Sequence, residues 1–206
     1  MADKAALIVF VRPPELGKVK TRLAKTMGDE NALKVYIFLL DHTRKIVSAS
    51  GIPVFVFYSE YLLENDAWRG NNFNKRIQSG GDLGFKMQNA FTHLFEQNYA
   101  KVIIIGSDCY DLSVEIILQG FKELDQHDIT LGPAVDGGYY LLGLKKLIPE
   151  LFINKRWSSK DVYQETMHDI ETLGLSVGLL PVLTDVDEEA DVTFNYLKSE
   201  DEVDLN

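Results

Sequence analysis

The sequence predicts an α/β protein whose sheet is mostly parallel. Short apolar runs alternate along the chain with longer segments of helical periodicity. Helices of ten or more residues between strands indicate crossover connections, which join parallel strands. The chain has 206 residues, of which 46% are hydrophobic and 25% are charged, and this is the composition of an ordinary globular domain. We therefore expect a single domain over residues 1–206.

The individual elements follow from local patterns. Ala5–Val11 is a continuous apolar run, typical of a strand buried on both faces. Further runs predict strands over residues 53–58, 102–105, 128–132, 139–144 and 175–183. Helical spacing predicts helices over residues 30–47, 85–97, 113–124 and 188–197, and one more that ends near residue 173. Ser113 is the expected N-cap of the 113–124 helix, and Ser158 or Ser159 that of the helix ending near 173.

The charge balance argues against several classes of function. There are 31 acidic and 21 basic residues, a formal net charge of -10, whereas a general nucleic-acid binder needs a basic surface. Cys109 is the single cysteine and excludes an internal disulfide and a thiolate zinc cluster. No apolar run reaches the roughly 18 residues of a membrane span. We expect a cytoplasmic protein with no membrane span and no nucleic-acid partner. The oligomeric state stays open.

The first loop contains a concentration of basic residues. Residues 1–25 hold six basic and two acidic residues, and four of the basic ones lie in the loop 12–22 after the first strand. Ligands of open parallel sheets bind beyond the carboxyl ends of the strands. Gly17 would let backbone N–H groups approach an oxyanion, and Lys18, Lys20 and Arg22 would donate charge-assisted hydrogen bonds. The loop is interpreted as a phosphate cradle. A solvated basic turn is the alternative.

Two later loops carry aspartates. Asp108 follows a predicted buried strand and a glycine, a placement suited to a hard divalent cation; the alternative is that it caps the turn. Asp136 is followed by Gly137, Gly138 and Tyr139, where the backbone can approach a ligand and a tyrosine can wall a sugar or acceptor. A plain hairpin turn is the alternative there.

Two further segments have weaker signals. Gln78 and Asp82 flank glycines before a predicted helix and can hydrogen-bond a base or ribose, although such glycines often form only an entry turn. The acids of residues 185–191 open the last predicted helix, where the helix dipole favours negative charge. Asp187 is singled out among them because of the resemblance described next.

The order of these motifs resembles the GT-A superfamily of nucleotidyltransferases and nucleotide-sugar glycosyltransferases. More closely, the chain resembles the bacterial radical-SAM/selenodomain-associated transferase 1 family, which is related to phospholactate guanylyltransferases. The matching segments are Phe10–Leu23, Gly81–Gly84, Gly106–Leu112, Gly132–Tyr140 and Asp185–Asp187. Arg12 stands where the family has lysine, and Tyr110 where it has proline. The resemblance implies a three-layer α/β/α Rossmann-like fold with a mostly parallel mixed sheet.

The resemblance also implies functions for individual residues. It assigns phosphate and base binding to a set of loop residues: Arg12, Gly17, Lys18, Lys20, Thr21, Arg22, Gln78, Gly81 and Asp82. It assigns Mg²⁺ or Mn²⁺ to Asp108, Asp136 and Asp187, with Lys20, Arg22 and Asp108 as catalytic residues. Asp136, Gly137, Gly138 and Tyr139 would face the acceptor or sugar.

Three functions are compatible with these assignments. The first is a metal-dependent nucleotidyltransferase that moves a nucleoside monophosphate from a nucleoside triphosphate to a small phosphorylated acceptor and releases pyrophosphate. The second is a glycosyltransferase with a nucleotide-diphospho-sugar donor. The third is a non-catalytic nucleotide-binding protein. The basic loop favours the first, because a triphosphate carries more charge than a sugar diphosphate.

Overall fold

A computed structural model describes residues 4–70, 72–157 and 159–197. Seven strands form one sheet, namely β1 (Ala5–Val11), β2 (Val54–Tyr58), β3 (Phe73–Ile77), β4 (Lys101–Ile105), β5 (Ile129–Pro133), β6 (Tyr139–Leu144) and β7 (Val177–Leu179). Five α-helices accompany them, namely α1 (Thr21–Met27), α2 (Asp29–Ala49), α3 (Leu83–Glu96), α4 (Val114–Gln126) and α5 (Val162–Thr172). Two short 3-10 helices cover Pro149–Phe152 and Glu189–Asp191.

The sheet has the order β3-β2-β1-β4-β6-β5-β7. Strands β1, β2, β3 and β4 pair in parallel, as do β5 and β7, whereas β6 runs antiparallel to both of its neighbours. The prediction of an α/β fold with a mostly parallel mixed sheet is therefore confirmed. None of the helices among the described residues is long and apolar enough to cross a membrane.

The alternation of side chains along β1 builds the layers. Leu7 and Val9 pack with α2 and α4 on one face of the sheet, while Ala6 and Ile8 pack with α3 and α5 on the other. Successive side chains of a strand point to opposite faces, so a run that is apolar throughout must be covered on both sides. The result is the expected three-layer arrangement, with β1 and β4 in the interior of the sheet.

Besides the 3-10 helix Pro149–Phe152, one strand and one α-helix of the described residues were not predicted. β3 is polar and largely exposed, with only Phe73 and Lys75 partly buried, and it is held at the sheet edge by backbone pairing with β2. α1 is one short helix of seven residues, and it includes Thr21 and Arg22, which were predicted to lie in the basic loop. Neither segment has an apolar period long enough to distinguish it from a loop.

Two predicted element boundaries were wrong. The strand expected to reach residue 183 ends at Leu179, since Pro181 has no N–H for a ladder. α5 has Asp161 as its N-cap residue, because the Ser159 hydroxyl accepts from the Asp161 N–H in the preceding turn. The alternative cap, Ser158, lies outside the described residues. The N-cap role of Ser113 is confirmed by a bond from the Ile116 N–H.

The predicted helix over residues 188–197 is absent beyond one 3-10 turn. The Asp191 carboxylate accepts from the N–H groups of Asp187 and Glu188 at 3.0 and 2.8 Å, which closes a single turn. Downstream, Phe194 stacks on Tyr110 with ring centroids 4.2 Å apart. The side-chain bonds and this aromatic packing replace a continuing helix.

Candidate functional site

The candidate site lies where the carboxyl ends of β1 and β4 meet. The two strands pair in parallel, so the loops that follow them start side by side. A third segment, residues 185–187, joins these loops. The Val186 N–H donates to the Asp108 carbonyl oxygen at 2.8 Å, and Asp185 forms an antiparallel bridge with Cys109. Three segments that are remote in sequence therefore meet at the carboxyl ends of β1 and β4. We call this meeting point the junction; Lys20, Asp108 and residues 185–187 form it.

Lys20 is at the centre of this junction. Its Nζ donates to the Val186 carbonyl oxygen at 2.7 Å and lies 3.1 Å from Asp108 Oδ2 and 3.5 Å from Asp187 Oδ1. Only 4% of the Lys20 side chain is exposed. Its backbone, at φ 47°, is left-handed, a conformation that costs a non-glycine residue about 1–2 kcal/mol. Such strain concentrates at functional positions. The fold thus holds a buried ammonium against two carboxylates.

Arg12 in the first loop and Arg22 in α1 have different surroundings. Arg22 Nη2 lies 2.9 Å from Asp187 Oδ2, and 62% of the Arg22 side chain is exposed, so further guanidinium donors remain accessible. The Arg12 N–H donates to the Tyr36 hydroxyl at 2.8 Å, and Arg12 lines a cavity of 880 Å³ that also contains Asp66. Arg22 therefore belongs to the junction, whereas Arg12 borders this large cavity beside α2.

The other residues of the loop predicted to contact phosphate have simple local roles. Lys18 pairs with Glu15 at 2.6 Å near the surface. Gly17 has φ 72°, a left-handed conformation that glycine adopts without steric cost. Thr21 is exposed at the first position of α1. Their contact with a nucleotide stays a prediction.

The carboxylates of the junction suit a divalent ion whose remaining ligands come from a substrate and from water. Within the described ranges, no three His, Cys, Asp or Glu side chains are arranged to hold a metal ion. Asp108 Oδ1 is nevertheless buried without a hydrogen-bond partner, while its Oδ2 faces Lys20. Mg²⁺ is commonly held by one or two carboxylates together with substrate phosphates and water. Asp108 and Asp187 fit that pattern.

Asp185 is a candidate site residue that the sequence analysis did not identify. Burial, the charge of Asp108 and the charge of Asp136 raise its pKa to about 7, an effect that Lys20 opposes. Asp185 also lines the smaller cavity described next. A signal was present in the alternation of two aspartates around the buried Val186. It was hidden because first-turn acids are expected at a helix, and the expected helix was wrong.

A cavity of 220 Å³ adjoins the junction. Asp136, Gly138 and Tyr139 line it, and Asp136 Oδ1 accepts from the Gly138 N–H at 2.9 Å. Gly137 supports the loop instead: at its φ of 90°, a Cβ would lie 2.0 Å from the Lys160 carbonyl oxygen. Three of the four residues predicted to face a sugar or acceptor thus lie at one cavity, and the fourth holds the turn.

Two side chains of the segment predicted to contact a base form hydrogen bonds to the protein backbone. Gln78 Nε2 donates to the Phe57 carbonyl oxygen at 3.0 Å. Asp82 Oδ1 accepts from the Phe85 N–H at 3.0 Å and is the N-cap of α3. Gly81 has no heavy atom within 4 Å of the place where a Cβ would be. The first two side chains therefore have structural partners, and Gly81 lies in open space.

The fold and the position of this site define a class. A mostly parallel mixed sheet of this kind is also the fold of solved nucleotidyltransferases and of a protein described as a nucleotide-diphospho-sugar transferase. Residues 42–159 match the family described as "Uncharacterized protein conserved in bacteria (DUF2064)". The chain belongs to that family. A comparison with curated proteins found no match.

Solved structures show the same fold. A protein from Desulfovibrio desulfuricans G20, provisionally described as a nucleotide-diphospho-sugar transferase, is 31% identical with a TM-score of 0.87, and the match covers 97% of this chain and 90% of that one. The 4-diphosphocytidyl-2C-methyl-D-erythritol synthase of Anaerococcus prevotii DSM 20548 is 11% identical with a TM-score of 0.57, over 92% and 93% of the two chains. A Mycobacterium tuberculosis H37Rv protein solved with manganese is 11% identical with a TM-score of 0.57, over 93% and 96%.

Proposed function

We propose that this protein is a metal-dependent nucleotidyltransferase. It transfers a nucleoside monophosphate from a nucleoside triphosphate to a small phosphorylated acceptor and releases pyrophosphate. The observation that carries the proposal is the junction in which the buried Lys20 lies between Asp108 and Asp187. An immobile ammonium beside two carboxylates, with the exposed Arg22 next to them, combines cation ligands with phosphate donors.

Lys20 and Arg22 act on the phosphates. Lys20 has little freedom to move, so its charge is already in place when negative charge develops, and such preorganised electrostatics is commonly the largest contribution to catalysis. Arg22 supplies planar, paired donors that match phosphoryl oxygens. Asp108 and Asp187 would hold Mg²⁺ or Mn²⁺, which would neutralise the negative charge that develops on the phosphates.

The transfer is a displacement at phosphorus. A phosphate oxygen of the acceptor forms a bond to the α-phosphorus, and the bond from that phosphorus to the α–β bridging oxygen breaks. Pyrophosphate leaves with the electron pair of the broken bond. The attacking oxygen is already ionised, so no side chain has to remove a proton. What the chain must provide is alignment and charge, which the rigid junction is built to give.

The remaining assignments follow the position of each loop. Contacts to the triphosphate and base are assigned to residues that follow β1 and β3 at the same end of the sheet, namely Arg12, Gly17, Lys18, Thr21, Gln78, Gly81 and Asp82. Asp136, Gly138 and Tyr139 face the acceptor, with Gly137 holding their turn. Asp136 lies at the cavity and can orient the acceptor or share the ion.

A glycosyltransferase with a nucleotide-sugar donor is the second candidate. The observation in its favour is the 31% identity to the Desulfovibrio protein and its description as a nucleotide-diphospho-sugar transferase. The same junction would bind the diphosphate, and the small cavity would take the sugar. The two reactions differ in their product, which is pyrophosphate in the first and a nucleoside diphosphate in the second.

A thermal-shift panel tests nucleotide binding. Each nucleoside triphosphate and common nucleotide sugar is added with Mg²⁺, with Mn²⁺ or with a chelator. A ligand at a hundred times its Kd adds about 2.7 kcal/mol, a rise in Tm of roughly 5–10 °C for a chain of this length. The nucleotide that stabilises is then incubated with candidate acceptors, and pyrophosphate and nucleoside diphosphate are measured.

Variants decide the assignment of the carboxylate. Asp108→Asn should abolish the metal-dependent part of the shift, whereas Asp111→Asn, at an exposed position three residues away, should keep it. A metal-dependent shift that survives Asp108→Asn shows that the ion is held elsewhere. Nucleotide binding without turnover for any acceptor would support the non-catalytic alternative.

A further inference from the structure

The small cavity beside the junction has an unusual charge pattern. Of its lining residues within the described part of the chain, Asp136 and Asp185 are the acidic ones, and none is lysine or arginine. The rest of its wall is mostly apolar or aromatic, including Phe10, Leu83, Met87, Tyr139 and Trp157. This contrasts with the adjacent junction, where cations and carboxylates alternate. The cavity therefore favours a different kind of chemical group from the phosphates that the basic loop would bind.

Asp136 can accept hydrogen bonds from a ligand in the cavity. Its Oδ1 accepts one bond from the Gly138 N–H, and a carboxylate has capacity for more. Hydroxyl and ammonium groups are the donors that such a carboxylate accepts from. Tyr139 and Trp157 add aromatic surface to the wall, so the cavity offers a hydrogen-bond acceptor on an apolar wall.

An anionic group would be opposed in this cavity. A ligand carboxylate or second phosphate would lie beside Asp136 and Asp185 with no basic side chain in the wall to compensate it. Like charges in contact at an interface cost several kcal/mol, and an apolar wall gives little solvation to offset that cost. An ammonium group would instead gain from the same carboxylates. At 220 Å³, the cavity is smaller than pockets for drug-sized ligands, and it suits one sugar-sized ring.

We propose that this cavity binds the non-phosphate part of the acceptor or of the transferred sugar, and that this part is a neutral or amine-bearing polyhydroxylated group without an acid. The inference rests on the proposed function, since it places the phosphates at Lys20 and Arg22. It divides the substrate into an anionic part at the loop and a non-anionic part at the cavity. Phosphorylated hydroxy acids, which carry a carboxylate, are disfavoured as acceptors.

Three matched compounds test the proposal by isothermal titration calorimetry with Mg²⁺. Glucose 1-phosphate, glucosamine 1-phosphate and glucuronic acid 1-phosphate share the ring and phosphate and differ in charge. The uronic acid should bind at least about tenfold more weakly than glucose 1-phosphate, and the amino sugar at least as tightly. Binding of the uronic acid as tight as that of the other two overturns the proposal, and so does failure of both other compounds to bind.

Variants locate the discrimination. The ratio of the Kd of glucuronic acid 1-phosphate to the Kd of glucosamine 1-phosphate should fall about tenfold or more in Asp136→Asn. The same ratio should stay unchanged in Asp111→Asn. An unchanged ratio in Asp136→Asn shows that the cavity is not the binding place. The proposed reaction is judged separately by pyrophosphate release. If the predicted order of affinities holds and no pyrophosphate appears with any triphosphate, the cavity assignment stands and the nucleotidyl transfer fails. If pyrophosphate is released with uronic acid acceptors preferred, the reverse is true.

Discussion

Replacing Lys20 with methionine should destabilise the protein even without any ligand. The substitution keeps the length of the side chain but removes an ammonium that donates to the Val186 carbonyl oxygen at 2.7 Å and lies 3.1 Å from Asp108. A hydrogen bond from a charged group is worth about 1.5–3 kcal/mol. The two ion pairs add little, because 43% of Asp108 and 26% of Asp187 are exposed and solvent screens them. A loss of about 2–3 kcal/mol corresponds to a fall in Tm of roughly 4–12 °C.

Chemical denaturation and thermal melting in the presence of a chelator measure this effect. Lys18→Met is the matched control, because Lys18 lies in the same loop and also forms an ion pair, with Glu15, but is 61% exposed. We expect no measurable change in Tm for the control. Binding of a triphosphate should weaken by about tenfold or more in Lys20→Met, since each 1.4 kcal/mol is a factor of ten. If the two variants melt at the same temperature, Lys20 does not hold the junction together and the reasoning fails.

Three further outcomes are expected. In metal-free buffer, Asp185→Asn should gain stability over the wild type as pH rises from about 4 to 8, by at most on the order of 4 kcal/mol. The pKa of Asp185 is raised to about 7, so the protonated carboxyl stabilises the folded wild type, and this contribution is lost as pH rises through 7. If the difference in free energy of urea unfolding between the two proteins does not change with pH, this prediction is wrong. Burial raises the pKa of Cys109 to about 12, so a maleimide should label it at about pH 8 only after unfolding, and rapid labelling of native protein would count against the structure. Gly137→Ala should cost about 2–4 kcal/mol, because its Cβ would meet the Lys160 carbonyl oxygen at 2.0 Å, whereas Gly81→Ala should melt near the wild-type temperature.

Most of the sheet could be predicted because its strands are buried on both faces. β1, β2 and β4 are short and, apart from Lys101 at the start of β4, apolar, and such runs are typical of strands buried on both faces. β3 could not be predicted this way: residues 73–77 are mostly polar and exposed, and their strand conformation comes from backbone bonds to β2. Edge strands supported by a neighbour leave little trace in hydrophobic periodicity.

Part of the site was predictable because the strands that carry it are neighbours and parallel. Loops that follow neighbouring parallel strands must start together, which places Lys20 and Asp108 on one edge. The contact of Lys20 with Val186 spans 166 positions, and no periodicity indicates it; the motif resemblance suggested Asp187 there. Asp185 was missed because helix-dipole reasoning explained its charge, and that reasoning fails where Asp191 ends the helix after one turn.

The geometry changes what the basic loop means. Read alone, Lys20 and Arg22 promise two positive charges to an incoming triphosphate. In the folded protein Lys20 lies between Asp108 and Asp187, and Arg22 contacts Asp187. These two cations and two carboxylates sum to zero, and the partly buried Asp185 makes the junction no more positive. Attraction for a triphosphate therefore depends on a divalent cation arriving with it or before it. The sharp metal dependence of nucleotide binding expected in the thermal-shift panel is thus a consequence of these ion pairs, since without the metal the two cations and two carboxylates of the junction have no net positive charge.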